Sequence, residues 1–309
     1  MNIFVQRGYE TFVQNEKGDT CLHISAKVNR LDLVRTIMEY EETSLSKNYS
    51  FIAYNSKGLF PIHEACKKGF IKVVVEFLKE SDQNAIEYST KHEGLTPLMI
   101  AAKHGYYKLI QYLIKRGANC SQMDYNERKP LTHAIMNGHA DICKILSKDV
   151  NPNIQDFHGN TLLHYALGFG WRLCYEFLLS RTTHNLNSLN NLGNTPLYIA
   201  LMNGYFDWVE SILIKDFSVN SIINRAKQTP LLACFSLPPT KEWFEFFYNL
   251  IKKPQCDLAV VDDSDNNVVS FSFVYLFIYL FEPLLIYMLI SFIISLNGKL
   301  NINFLTVIR

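Results

Sequence analysis

The side chains best suited to chemistry in this chain are three histidines, His23, His63 and His164, and seven cysteines, Cys21, Cys66, Cys120, Cys143, Cys174, Cys234 and Cys256. Imidazole and thiolate bind transition metals and act as bases or nucleophiles. A metal site needs ligands at convergent spacing, as in C-x-x-C or H-x-x-x-H, and neither pattern occurs. The histidines fall instead at one place in separate stretches of chain. The cysteines are odd in number, scattered and without the spacing of a disulfide framework, which fits a reducing compartment. No G-x-G-x-x-G, Walker loop, G-x-S-x-G or H-E-x-x-H is present, so adjacent residues assemble neither a phosphate cradle nor an activated nucleophile. No enzyme, no cofactor and no metal is expected. Lys plus Arg total 30 against 29 for Asp plus Glu, and a net charge of +1 supplies no field for nucleic acid. The N-terminus, MNIFVQRGYETFVQNEKGD, has no apolar run of signal-peptide length, so a cytoplasmic location is expected.

The elements that carry these residues repeat. Thr20-Cys-Leu-His23, Phe60-Pro-Ile-His63, Thr96-Pro-Leu-Met99, Lys129-Pro-Leu-Thr132, Thr161-Leu-Leu-His164, Thr195-Pro-Leu-Tyr198 and Thr229-Pro-Leu-Leu232 start at intervals of 40, 36, 33, 32, 34 and 34 residues. Thr can accept from a free N–H at a helix start, and Pro fits beside it where no N–H is needed. Small residues such as Ala65-Cys66 and Ala101-Ala102 follow, where a short inner helix packs closely on its neighbour. Gly69, Gly105, Gly138, Gly170 and Gly204 recur nine places after the starts, as expected of a left-handed residue closing that helix. Apolar residues then return at helical spacing, as in Leu109, Ile110, Leu113 and Ile114, predicting a second, outer helix. Turn residues such as Asn55-Ser-Lys-Gly58 and Asp156-Phe-His-Gly159 precede each start and predict a hairpin whose tip projects.

This period with T-P-L-H-x-A resembles the ankyrin-repeat family, over about residues 15 to 267. The resemblance implies a structural hydrogen-bonding role for the three histidines. The fold expected is all-α: an ankyrin-repeat helical solenoid with β-hairpin tips, followed by a hydrophobic C-terminal helix. Residues 1–14 form an N-terminal cap, 15–266 about seven repeats and the start of an eighth, and 267–309 a hydrophobic segment. Two surface excursions are expected, an insertion around Glu41 to Tyr54 and a break of the seventh inner helix at Leu237-Pro238-Pro239. Repeat four, with Glu127 for the tip glycine and Lys129 for the capping Thr, is expected to have a less regular hairpin.

A repeat stack without catalytic motifs leaves recognition as its function, a non-catalytic protein–protein interaction scaffold or adaptor working through the concave face and hairpin tips. The pattern puts Met136, Tyr165, Phe169 and Met202 on the inner-helix face and Tyr125, Phe157 and His158 at the tips. Aromatic and Met side chains anchor protein interfaces because they bury much area at little rotamer cost. Repeats two and three carry Glu64, Lys67, Lys68, Lys103 and His104 there, a charged solvated face. The partner expected is a protein, of an identity the sequence does not name.

Residues 268–296 hold 23 apolar side chains in 29 positions with one charge, Glu282, enough to span a bilayer of about 30 Å. One reading is a tail anchor with the repeats in the cytosol. Another starts from Val269-Ser270, which GTAAGT, a splice-donor consensus, can encode. The segment is then retained intron, and the chain the N-terminal ankyrin portion of a larger channel or ADP-ribosyltransferase of the tankyrase type.

Overall fold

The computed structural model describes residues 10–43, 50–80, 83–147, 151–180, 186–216, 218, 222–225, 227–238, 240–251 and 253. The chain divides into two compact units, Met1–Thr183 and His184–Arg309. Among its described residues the first unit holds five helix pairs: α1 (Cys21–Lys27) with α2 (Leu31–Thr43), α3 (Pro61–Lys68) with α4 (Ile71–Glu80), α5 (Pro97–His104) with α6 (Tyr107–Lys115), α7 (Pro130–Met136) with α8 (Ala140–Leu146), and α9 (Leu162–Gly168) with α10 (Arg172–Leu179). The second holds α11 (Pro196–Met202), α12 (Phe206–Lys215), α13 (Pro230–Ala233), a 3-10 turn over Cys234–Ser236, and α14 (Lys241–Ile251).

Each inner helix starts as its residues dictate. The hydroxyls of Thr20, Thr96, Thr195 and Thr229 accept from the N–H three residues on, at 3.4, 3.3, 3.1 and 3.3 Å. Prolines 61, 97, 130, 196 and 230 take the first turn, where the absent N–H costs nothing. Gly69 and Gly105 close α3 and α5 with φ of +72° and +80°, a region that would strain a side-chain-bearing residue. In the first unit each inner helix packs on the next, α1 on α3, α3 on α5, α5 on α7 and α7 on α9. The small side chains permit that approach: Ala26, Ala65, Cys66, Ala101, Ala102, Ala134 and Ala166 are wholly buried. Behind them the outer helices contribute Val73, Val74, Leu109, Ile110, Leu113, Ile142, Cys143 and Cys174 to a continuous apolar core.

The hairpins differ from expectation, for there is no strand among the described residues. Neighbouring tips in the first unit are joined by one backbone bond each: Ser56 N–H to Lys17 O (3.0 Å), Lys91 N–H to Gly58 O (2.8 Å), Tyr125 N–H to Glu93 O (3.1 Å) and Phe157 N–H to Asn126 O (3.1 Å). The turn itself is closed by a side chain. Oδ1 of Asn55 accepts from Lys57 and Leu59 N–H (3.0 and 3.1 Å), and Oδ1 of Asp156 from His158 and Asn160 N–H (3.0 and 2.9 Å). One backbone bond also crosses each of these turns, Asn55 N–H to Leu59 O (3.0 Å) and Asp156 N–H to Asn160 O (3.1 Å), and a single rung makes no ladder.

The tip of repeat four is as regular as its neighbours, contrary to expectation, although Lys129 gives its inner helix no side-chain cap. Glu127 takes the left-handed place of the tip glycine at φ +61°, and Asp124 Oδ1 accepts from Asn126 and Arg128 N–H at 2.9 Å each. The first insertion is also more than a surface excursion. Ser50 N–H donates to both carboxylate oxygens of Glu41 (3.2 and 3.1 Å), and both residues are buried. Desolvation pushes the Glu41 carboxyl above its ordinary range. The seventh inner helix is cut to the four residues of α13, as its prolines predict. In that unit Trp243 of α14 stacks on Phe247 (4.9 Å, 9°) and donates its indole N–H to Cys234 O at 2.8 Å.

The hydrophobic C-terminal helix expected over residues 268–296 lies outside the described residues, among which no helix is long and apolar enough to cross a membrane.

Candidate protein-binding surface

The histidines are structural. Backbone N–H groups of Thr20, Phe60 and Thr161 donate to Nδ1 of His23, His63 and His164 at 3.2, 3.1 and 3.1 Å. That leaves the proton on Nε2, which His23 donates to Leu59 O (2.8 Å) and His63 to Tyr88 O (2.7 Å), tying one repeat to the next. Burial pushes the His63 imidazole down to about 4 and lowers His23 as well. Among the described residues no group of three His, Cys, Asp or Glu converges on a metal-sized space. Two of the thiols are held protonated by the same physics: burial pushes Cys66 up and Cys21 to about 11, far from a thiolate.

Repeats four and five of the first unit gather six of the seven predicted contact residues. Tyr125 and Phe157, at the tips, are 65% and 63% exposed, and Phe169, after α9, is 51% exposed. His158 is exposed, and its ring meets Phe157 edge-on at 5.6 Å. Tyr165 is half-buried and its ring lies parallel to Phe169 (6.2 Å, 10°). Its hydroxyl donates to the Asp156 carboxylate, which couples the inner helix to the tip. Burial first, then Asp156, pushes the Tyr165 phenol up to about 12, so it remains a donor across ordinary pH. Tyr125 lays its ring over Gly94, where a Cβ would come within 2.7 Å of it. Met136 is half-buried, its sulfur 3.9 Å from an Arg128 guanidinium N–H. Met202, half-buried at the end of α11, belongs to the second unit.

Repeats two and three are charged as expected, with one correction. Lys67, Lys68 and His104 are exposed and Lys103 half-buried, but Glu64 is only 4% exposed. Its carboxylate is held by Lys27 (3.3 Å) and the Asn55 amide (3.1 Å), which also serve Asp19. A carboxylate that reaches two donors across a repeat boundary is drawn into the stack. The face is therefore more cationic than its composition suggests. A hollow of about 270 Å³ opens there, with Lys57, Lys67, Lys103, His92 and His104 in its wall beside Glu93. Burial, then Lys103, Lys67, His139 and Lys68, lower the His104 imidazole.

Sequence reading missed a further series. Tyr106, His139 and Trp171 each follow the glycine that closes an inner helix, and each covers the equivalent glycine of the preceding repeat, Gly69, Gly105 and Gly138. Their polar atoms reach the carbonyl two residues before that glycine: Tyr106 hydroxyl to Lys67 O (3.2 Å), His139 Nε2 to Lys103 O (3.2 Å) and Trp171 Nε1 to Met136 O (3.1 Å). Recurrence of a ring ten places after the starts of repeats two to six, Phe70, Tyr106, His139, Trp171 and Tyr205, was the available signal. These rings also border the charged face and the aromatic patch, fixing the carbonyl ends of α3, α5 and α7.

A family model for ankyrin repeats (3 copies) matches residues 1–87, 41–124, 62–156, 122–183 and 146–223. The chain is 26% identical over 204 residues to the B-cell lymphoma 3 protein homolog of Mus musculus, covering 65% of this chain and 44% of that one. It is 31% identical over 142 residues to Rabankyrin-5 of Homo sapiens (45% and 12%). It is 28% identical over 227 residues to the poly [ADP-ribose] polymerase tankyrase of Caenorhabditis elegans (69% and 10%). The chain thus spans less than half the length of each of these relatives. Ankyrin repeats generally mediate protein–protein interaction, and the matches, the recurrent capped helix pairs and the inter-repeat histidine bonds together show that this chain belongs to the ankyrin-repeat family.

Proposed function

We propose that this protein is a non-catalytic, cytosolic scaffold or adaptor that binds a protein partner along repeats two to five. The observation that carries this reading is the exposure of Tyr125, Phe157 and Phe169 in one pair of adjacent repeats, beside the half-buried Met136 and Tyr165. Large rings left in water on a rigid frame are pre-organised to bury area against a partner. The lysines of repeats two and three add charge, so the matching ligand is a segment with apolar residues followed by acidic ones. Met202 would contribute an additional contact from the second unit.

Affinity capture with the full chain, compared with a Tyr165→Ala/Phe169→Ala variant, tests the patch. Loss of the captured protein supports it, and equal recovery by both rejects it. A second reading, the repeat portion of a larger channel or ADP-ribosyltransferase, draws on the small share of its relatives that the chain spans, 10% of tankyrase among them. A transcript that skips the codons after Val268 and continues in frame with repeat-like residues would favour it. Membrane attachment through residues 268–296 rests on their composition. It requires that the chain stay with membranes in alkaline carbonate and leave them in detergent.

A further inference from the structure

The ring series has an open member. In the first unit, Gly69, Gly105 and Gly138 have φ of +72°, +80° and +76°, and a Cβ on each would meet the ring of Tyr106, His139 or Trp171 at 2.7 Å. Gly204, in the second unit, has the same backbone at φ +73°, yet a Cβ there would meet nothing within 4 Å. The reason is in the sequence. Ten places after Thr229 the chain has Pro239, which offers neither a flat ring nor an N–H. The preceding inner helix is shortened to Pro230–Ala233.

What stands over Gly204 is a hollow of about 590 Å³, with Met202, Trp208, Leu237 and Pro238 among its apolar walls and the carboxylates of Asp207 and Glu242 in its lining. Met202 O stands two residues before Gly204, the place from which Lys67 O, Lys103 O and Met136 O accept in the filled copies. It accepts no hydrogen bond among the described residues. Asp207 is exposed, in the first turn of α12, and Glu242 is exposed, in the first turn of α14.

We infer that this hollow is a docking subsite for a tryptophan or tyrosine side chain of a partner protein, carried in a basic segment. The chain's own three filled copies define the occupant. It must present a flat face to the glycine and an N–H or O–H to the carbonyl, and the acidic lining selects Lys or Arg beside it. The site goes beyond the patch of the first unit.

The test uses the full chain with 13C-labelled methionine methyls and a blocked Arg-Trp-Arg tripeptide as probe. A docked indole shifts the Met202 methyl upfield by its ring current, saturably, with a Kd of about 1 mM as befits one side chain. Arg-Leu-Arg and Glu-Trp-Glu should bind at least about 10-fold more weakly. Gly204→Ala puts a methyl where the ring must lie and should abolish the shift. Should that variant fail to fold, Asp207→Asn/Glu242→Gln, which alters exposed side chains alone, should weaken binding about 3- to 10-fold at low salt. No saturable shift, equal binding of the leucine peptide, or unchanged binding by the variants would overturn the assignment. So would a Met202 methyl already shifted upfield without peptide and unmoved by it, which would mark an aromatic of this chain's own 268–296 segment as occupant. Because the probe is synthetic and the readout local, failure here leaves the capture experiment on Tyr165 and Phe169 standing, and the reverse.

Discussion

A buried imidazole that must remain neutral makes the stack sensitive to acid. His63 titrates near 4 in the folded chain against an ordinary value of 6.5, because burial penalises its charged form. Between those values the unfolded chain holds a proton that the folded chain lacks, so stability is complete above about pH 6.5 and falls as pH drops toward 4. The loss from this one group is about 3 kcal/mol. Urea unfolding at several pH values should show His63→Gln with a flatter dependence than the parent over that window; parallel curves would contradict the assignment. Trp171→Ala should cost about 2 kcal/mol, from the uncovered Gly138 and the orphaned Met136 carbonyl, measured by the same unfolding. The role of the histidines was legible through the family resemblance, because they recur at one place in the T-P-L-H pattern, with Nδ1 partners three residues away. Trp171 was not, because its partner lies 35 residues back and is a main-chain atom. Nothing in a carbonyl's residue type announces it.

At the scale of the element, the tip loops are Asx turns docked edge to edge rather than hairpins. Their acidic or amide residue therefore carries more than its position in a turn suggests. Asp124 accepts from two backbone N–H groups, from Arg128 Nε at 3.1 Å and from His133 Nε2 at 3.0 Å, with its side chain wholly buried. Desolvation, the largest single influence, pushes its carboxyl up, but the hydrogen bonds from His133 and the Arg128 backbone together with the Arg128 charge outweigh it and hold the carboxyl below the ordinary range. Asp124→Ala should lower stability by about 3 kcal/mol in thermal unfolding, since it strands buried donors, and Asp124→Asn by less, since Oδ1 remains. Glu127→Gly should raise stability by about 1 kcal/mol by relieving a left-handed backbone at a side-chain-bearing residue. The helices were legible because Thr, Pro and Gly act within a turn of chain. The absence of strands was not, since Asn-x-x-Gly suits both a hairpin and a loop closed on its own oxygen.

For the whole molecule, the repeat period revealed the architecture because each unit can bury its apolar face only against a neighbour. The contact surface was half legible. Periodicity located Tyr125, Met136, Phe157, His158, Tyr165 and Phe169 on adjacent repeats, but Glu64 was withdrawn into the stack by Lys27 and Asn55, residues of two other elements. The segment 268–296 lies outside the described residues, so its reading still rests on composition. The central claim is that repeats four and five contact a protein partner through their exposed rings. The most direct measurement replaces Phe157 and Phe169, one at a time, with a photo-crosslinking phenylalanine analogue in the full chain, and Leu173 of outer helix α10 as the reference site, which is 68% exposed. A common crosslinked partner from positions 157 and 169 and none from 173 is the predicted result; equal crosslinking from all three, or none from 157 and 169, would contradict it.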